Sequence, residues 1–399
     1  MRKPKSHIPQ VAILTQLTLK GQYDSLRGIL QFVKLHGPWR LYRMEGRPGE
    51  QRLLNLKRWG CTGIITGACD EKEAALLIRA NVPIVVAELP PPMREPSHPL
   101  STCTCTRFDS YACGRLAAEY FLERHYTRFA FVGEPHEVYW STEREQGFKD
   151  TLAQAGRSCL IYGRLSEEEK RDWATEQPQL QAWLRSLPKP IALFAAMDGR
   201  GRQVLDACMG ADIAVPDELA VLGVDNDELI CEATFPTMSS IQANSQQSGY
   251  QLAEHLDALM SGKRLRQRVI PTSPTCVVTR RSTDATVIAD RQIARALDFI
   301  WRNAGHQPIR VSDVIREIGT SRRFAERHFK AAVGRTILDE IRRVRLDRVC
   351  TLLAETNLLI GDITRQCGFE RESYLARLFK SRFDRSMSAY RADARNRLS

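Results

Sequence analysis

Between Ile8 and about Arg280, short apolar runs of strand length alternate with amphipathic stretches of helix length, and past Arg281-Ser282-Thr283-Asp284 the strand signal stops. That switch constrains the fold more than any other feature of the chain. The strand-like runs are Val11–Leu14, Thr62–Thr66, Pro83–Glu88, Arg128–Gly133, Cys159–Tyr162, Ile191–Ala196 and Ala220–Val224. Helix-like stretches fall between them at Tyr23–His36, Glu71–Asn81, Ser110–His125, Thr142–Ala155, Pro178–Ser186, Gly199–Met209 and Ser245–Met260. In the first of these Leu26, Ile29, Leu30 and Val33 keep helical spacing, and Gly37-Pro38 ends it. Runs apolar on both faces and separated by helices imply parallel sheets covered on both sides. About 270 residues is long for one doubly wound sheet, and the pattern begins again near Asp109, so two α/β lobes around a cleft are expected. Domains are expected at 1–284 and 285–399, the second all-α.

The chain has 399 residues, 43% hydrophobic and 26% charged, which excludes disordered, collagenous and low-complexity classes. No apolar run approaches the roughly 18 residues a membrane helix needs. The opening Val-Ala-Ile-Leu run stops at Thr15-Gln16, too short for a secretory signal, so a cytoplasmic location is expected. Eleven cysteines, an odd number scattered along the chain, fit reduced thiols better than a disulfide framework. The net charge of +11 is concentrated: residues 291–399 carry 23 Lys and Arg against 13 Asp and Glu, and 21 of those cations are Arg. The first 290 residues are near neutral. A basic, arginine-rich tail points to a polyanion, and charge alone leaves nucleic acid and anionic membrane both open.

The tail holds two related helical units. In Val311–Lys330, Val311, Val314, Ile315 and Ile318 share a face, Gly319 supplies a turn and Ser321 can cap the next helix. Phe324 and Phe329 are expected to face inward, with Arg322, Arg323, Glu326, Arg327 and Lys330 outward. In Ile360–Lys380, Gly368 is the turn and Tyr374, Leu375, Leu378 and Phe379 are apolar, leaving Arg371, Glu372, Ser373, Arg377 and Lys380 outward. Ile337–Ala354 joins them with Leu338, Ile341, Val344, Val349 and Leu352 at helical spacing. Such a helix spans roughly 27 Å, enough to set two reading helices in successive major grooves of double-stranded DNA.

The tail resembles the AraC-type DNA-binding domain across 290–391. The resemblance rests on Gly319, Phe329-x4-Gly334, Arg345, Leu352-Leu353, Ile363 with Gly368-Phe369, Phe379-Lys380 and Tyr390-Arg391. Two positions depart from that pattern, Thr364 where Ala is usual and Met387 where Pro usually precedes the final Tyr-Arg. The body resembles a LacI/periplasmic-type sugar-binding domain through R128-F-A-F-V-G, W140-S-T-E-R-E-Q-G-F, D198-G-R-G-R, V221-L-G-V-D-N-D-E-L and R280-R-S-T-D. The order, sensor first and AraC-type tail last, is similar to the xylose-operon regulator family. The resemblance implies a two-lobed periplasmic-binding-protein-like sensor followed by a double helix-turn-helix domain. It further implies promoter DNA and a small sugar, D-xylose or a close aldose, as partners. A homodimer, and RNA polymerase if the protein activates, complete the expected partners.

A neutral sugar needs carboxylates, amides and Arg for its hydroxyls and an aromatic for its apolar face. Asp225 and Asn226 end the strand Ala220–Val224, and Asp198 follows Ile191–Ala196. Arg144 starts a helix after a strand, Trp140 is the stacking candidate, Tyr23 and Asp24 reach in from the other lobe, and Asp109 lies near the crossover. Cys103, Cys105 and Cys113 lack the partnered spacing of a metal site, and no phosphate-cradling loop or nucleophile–base motif occurs, so no cofactor or catalysis is expected. Glu167–Glu169 reads as a solvated helix start. A non-sugar effector, such as a purine or phosphorylated metabolite, and an α/β enzyme fused to a DNA-binding tail stay open at this stage.

Overall fold

The computed structural model describes residues 8–15, 19–43, 56, 58–67, 69–163, 172–265, 268–284, 290–305, 307–356, 358–383 and 385–395. Glu167–Glu169 and residues 285–289, which follow the expected domain boundary, lie outside the described residues. The described residues form two six-stranded sheets. The first contains β1 (Gln10–Leu14), β2 (Arg40–Arg43), β3 (Gly63–Thr66), β4 (Ile84–Val86), β5 (Thr104–Phe108) and β11 (Val269–Thr272) in the order β11-β5-β4-β3-β1-β2, all parallel. The second contains β6 (Phe129–Val132), β7 (Cys159–Ile161), β8 (Ile191–Ala195), β9 (Leu219–Val224), β10 (Ser239–Gln242) and β12 (Cys276–Val278) in the order β12-β10-β9-β8-β6-β7. Only β12 runs antiparallel among them.

Every residue of β3, β6, β8 and β9 is buried, as strands covered on both faces must be. The chain leaves the first sheet at Asp109, returns after β10 through the helix Ser245–Met260, and crosses again between β11 and β12. Each lobe therefore owns one sheet, and three connections span the cleft. Two helix pairs pack with touching backbones. A Cβ at Gly28 would come within 1.9 Å of the Gln246 carbonyl oxygen, and one at Gly114 within 2.0 Å of that of Arg144.

All seven expected strands form. Among the described residues five more form: β2, β5, β10 and β11 carry Arg, Thr, Ser, Gln or Pro and show no apolar run, while β12 is apolar but only three residues long, Cys276–Val278. Ser239 and Ser240 of β10 are fully buried because distant partners satisfy their hydroxyls: Ser239 bonds with Thr283 and Ser240 with Asp198.

Beyond residue 290 all elements are helices: Arg291–Asn303, Val311–Ile318, Arg322–Val333, Ile337–Glu355, Ile360–Gln366, Glu372–Phe383 and Met387–Arg395. Gly319 and Gly368 take φ of 73° and 71°, the left-handed turn expected of them. The 19-residue helix Ile337–Glu355 contributes Ile341 to the first unit's core and Val349, Leu352 and Leu353 to the second's. Three expectations fail. Ser321 stands at the N-cap, but its hydroxyl makes no capping bond. Phe324 is exposed: Ala325, Phe329 and Val333 form the buried stripe at i, i+4 and i+8, and Phe324 falls off it to stack on His328 at 4.5 Å. Leu338 is likewise exposed, on the groove between the units.

Candidate functional site

Arg144 and Asp225 meet in the cleft. Arg144 projects from the helix Tyr139–Gln154, which follows β6, and Asp225 follows β9 directly, so both stand beyond carboxyl ends of strands in the second lobe. Arg144 Nη2 lies 3.9 Å from Asp225 Oδ1, with the guanidinium buried and the carboxylate a quarter exposed. Arg144 also donates from Nη1 to the Ala196 carbonyl, while its Nε has no partner. Its guanidinium lies over the half-buried Trp140 ring at 4.8 Å and near Phe108 at 5.9 Å. Burial pushes the Asp225 carboxyl up, and the Arg144 charge, followed by that of Lys20 from the first lobe, opposes the rise. Asp225 and Asn226 hold φ of 104° and 48°, a strained loop of the kind that gathers at ligand sites.

The other expected residues divide. Asp109 is exposed, and one carboxylate oxygen accepts from Ala112 N at 2.9 Å to cap the helix Ser110–Glu123. Tyr23 is half exposed, and Asp24 is paired with Lys20 at 2.9 Å and Arg27 at 3.2 Å. Two residues sit differently from expectation. Asp198 is buried under the cleft floor, where Ser240 Oγ donates to one oxygen at 2.5 Å and Asp227 N to the other at 2.7 Å. Burial, then the charge of Asp225, pushes its carboxyl up to about 7. Asn226 is also buried, donating to Gln242 Oε1 at 2.6 Å and accepting from Arg280 Nη1 at 2.9 Å. Both residues hold the Asp225 loop in place; neither opens onto the cleft. Strand-end position alone cannot separate a residue under the loop from one on it.

Sequence reasoning passed over Lys20, Glu88, Arg94 and Tyr139. Glu88, with φ of 69° after β4 of the first lobe, hydrogen-bonds Tyr139 of the second, and Arg94 lies over the Tyr139 ring at 5.1 Å. Burial raises the Glu88 carboxyl against that bond and the charges of Arg144 and Arg94. Among the described residues the cleft carries both signs of charge, Lys20, Arg94 and Arg144 against Glu88 and Asp225.

In the tail, Arg322, Arg323, Glu326, Arg327 and Lys330 are all exposed on one helix; Arg371, the residue before the other helix, and Glu372, Ser373, Arg377 and Lys380 on it are exposed too. Arg322 pairs with Glu326 at 3.0 Å. A groove of about 840 Å³ runs between the units, lined among others by Arg310, Arg342, Arg371 and Arg377. Two exposed helices rich in Arg, with a basic groove beside the second, form a surface for a phosphate backbone and base edges.

Residues 118–283 match the periplasmic binding protein-like domain, and residues 314–393 match a helix-turn-helix domain. The xylose operon regulatory protein of Escherichia coli strain K12 is 32% identical over 349 residues, covering 85% of this chain and 86% of that protein. The chain belongs to the xylose operon regulatory protein family. The Haemophilus influenzae member is 32% identical over 71% of this chain and 73% of its own length. A solved xylose-binding transcription activator aligns over 97% of this chain and 98% of its own, with 28% identity and a TM-score of 0.61.

As a member of this family the protein is a sugar-responsive, DNA-binding transcription regulator. Its two departures from the AraC-type pattern are accommodated. Thr364 is buried but returns its hydroxyl to the Ile360 carbonyl at 2.7 Å. Met387 is the first residue of the last helix, where a main-chain N–H has no intrahelical partner in any case, and its side chain packs into the second unit's core. Arg345 ties the units together, donating to the Ile309 carbonyl at 2.9 Å and lying over Phe369 at 5.8 Å. Among the described residues no helix is long and apolar enough to cross a membrane.

Proposed function

We propose that the cleft binds a neutral sugar, D-xylose or a close aldose, and that occupancy changes how residues 285–399 engage promoter DNA. The observation that carries the reading is the Arg144–Asp225 pair, a buried donor and a partly exposed acceptor held side by side in a cleft of mixed charge. Asp225 accepts from two hydroxyls and Arg144 donates to others. Asp109, Trp140, Tyr23 and Asp24 line the approach, Lys20 completes the first lobe's side, and Asp198 and Asn226 position the loop. Leaving such groups unpaired costs roughly 1–3 kcal/mol each, which gives selectivity for the matching hydroxyl pattern. The names of the relatives, a xylose operon regulatory protein and a xylose-binding activator, support xylose as the sugar and activation as the outcome.

In this reading residues 1–284 form the effector domain. Arg322, Arg323, Glu326, Arg327, Lys330, Arg371, Glu372, Ser373, Arg377 and Lys380 contact DNA. The protein works in the cytoplasm as a homodimer on repeated half-sites, engages RNA polymerase and leaves its sugar chemically unchanged. Calorimetry of the purified protein against a panel of pentoses and hexoses tests it. Saturable one-site binding of D-xylose or a near epimer is expected, with the sugar recovered intact. Heat with none of the panel, or tight binding of a purine or sugar phosphate instead, overturns the reading.

A further inference from the structure

The helix Ser110–Glu123 begins beside the Arg144–Asp225 pair and ends against the DNA-binding domain. Its N-cap is Asp109, and its first turns carry Gly114, against which the Arg144 carbonyl is packed so closely that a Cβ there would come within 2.0 Å. On the same pair of helices Gly147 meets the Tyr111 carbonyl, where a Cβ would come within 2.1 Å. These backbone contacts have no side chain between them to give way. A shift of Arg144 is therefore a shift of this helix. From Gly114 to Glu123 the helix runs about 14 Å further at 1.5 Å per residue.

At that far end Glu123 touches both helix-turn-helix units. Its main-chain carbonyl, one of the last carbonyls of the helix and so without an intrahelical partner, accepts from Arg335 Nη2 at 2.9 Å. Its carboxylate pairs with Arg382 at 3.4 Å. Arg335 immediately follows Gly334, the left-handed residue that ends the first reading helix, and Arg382 is the penultimate residue of the second, Glu372–Phe383. Behind them Glu340 is a fully buried carboxylate held by Trp301 Nε1 at 2.8 Å and Arg343 Nη2 at 2.7 Å, with Arg335 Nε 2.8 Å away. Arg124, next after Glu123, lies over Trp301 at 5.3 Å. The junction is not tightly filled: a cavity of about 340 Å³ remains among Glu123, Arg335, Arg343, Asp347, Leu378 and Arg382. A joint that is hydrogen-bonded and charge-paired around an open pocket can change its arrangement without unpacking a core.

We propose that Glu123 is the coupling joint of the protein, through which displacement of the helix Ser110–Glu123 at its cleft end reorients both reading helices. The inference rests on the reading of the cleft as the sugar site. Glu123, Arg335 and Arg382 are positioning residues: they touch neither sugar nor the bases.

The test uses the full chain, with promoter DNA affinity measured by fluorescence anisotropy with and without saturating D-xylose and sugar affinity by calorimetry. Variants are Arg335→Ala, Glu123→Gln and the charge exchange Glu123→Arg with Arg382→Glu. In Arg335→Ala and Glu123→Gln, sugar affinity and sugar-free DNA affinity stay near wild type, while the sugar-induced change in DNA affinity falls towards none from a wild-type factor of about 5–150. The exchange, which restores an ion pair of opposite sense, recovers most of that factor. Glu123→Gln keeps the helix and the carbonyl, so it judges the joint even if Arg335→Ala fails to fold. If Glu123→Gln and the exchange both respond to sugar as wild type does, the joint is overturned while the sugar reading stands. A wild-type protein that binds sugar and shows no change on DNA overturns both.

Discussion

Arg144 Nη2 and Asp225 Oδ1 stand 3.9 Å apart, too far for a hydrogen bond and close enough for strong attraction between a buried cation and an anion only a quarter exposed. The pair is held in register without consuming its own hydrogen-bonding capacity. Arg144 is anchored by the Ala196 carbonyl and the Trp140 ring, and Asp225 by the strained loop that Asp198 and Asn226 secure from below.

Replacing Asp225 with alanine removes the acceptor and leaves the Arg144 guanidinium buried without its counter-charge. Sugar affinity is expected to fall by at least one to two orders of magnitude, at roughly 1–3 kcal/mol per stranded group, while sugar-free DNA binding persists. Calorimetry and anisotropy on the same preparation check it. Unchanged titration by sugar would show that the ligand sits elsewhere.

Gly114 has no room for a side chain, since a Cβ there would also come within 2.5 Å of the Phe148 main-chain nitrogen. Gly114→Ala should force apart the helices Ser110–Glu123 and Tyr139–Gln154, lower stability by about 1–3 kcal/mol and weaken sugar binding by displacing Arg144. Thermal melts and calorimetry read both effects. A variant as stable and as sugar-competent as wild type would mean that the two helices are free to separate.

These two predictions also show what sequence could and could not reveal. Strands β1, β3, β6, β8 and β9 were legible because burial on both faces demands continuous apolar runs. Strand β10 was not, since Ser239 and Ser240 are buried through hydroxyl partners some 40 residues away in sequence. Asp225 and Arg144 were legible as polar residues just beyond strand ends. Lys20 and Glu88 were not: one belongs to the first turn of a helix whose approach to Asp225 depends on lobe packing, and the other carries a positive φ that no sequence pattern announces. Phe324 was misplaced because a four-residue stripe through Ala325 wins over a larger apolar side chain one residue away.

Glu340 makes the DNA-binding domain sensitive to acid. Burial alone would raise its carboxyl, but the hydrogen bonds and charge of Arg343, with Arg335 and Trp301, outweigh it and hold the group down at about 2 from an ordinary 4.5. A depressed folded-state value stabilises above the unfolded one and is lost as pH falls through the folded one, so this stabilisation should disappear as pH falls from about 4.5 towards 2. Glu340→Gln should melt lower at pH 7 and show a flatter curve across that window. Parallel pH profiles for the two proteins would contradict the account.

The two reading helices present different residues, Arg322, Arg323, Glu326 and Arg327 against Arg371, Glu372, Ser373 and Arg377. One protomer should therefore read an asymmetric site across two adjacent major grooves. Arg323→Ala and Arg371→Ala should each relax preference at a separate position about one helical turn apart, with each good base contact worth roughly 1–3 kcal/mol. Binding-site selection with each variant decides it: shifts at the same base pair, or at none, rule out two independent readers.

The most direct test of the whole account is the affinity of the wild-type protein for its promoter DNA at fixed salt, titrated with D-xylose. Linkage predicts a change of about 5–150-fold on saturation, matched by an equal change in sugar affinity when DNA is present. Superimposable DNA isotherms with and without a sugar that calorimetry shows to be bound would contradict it.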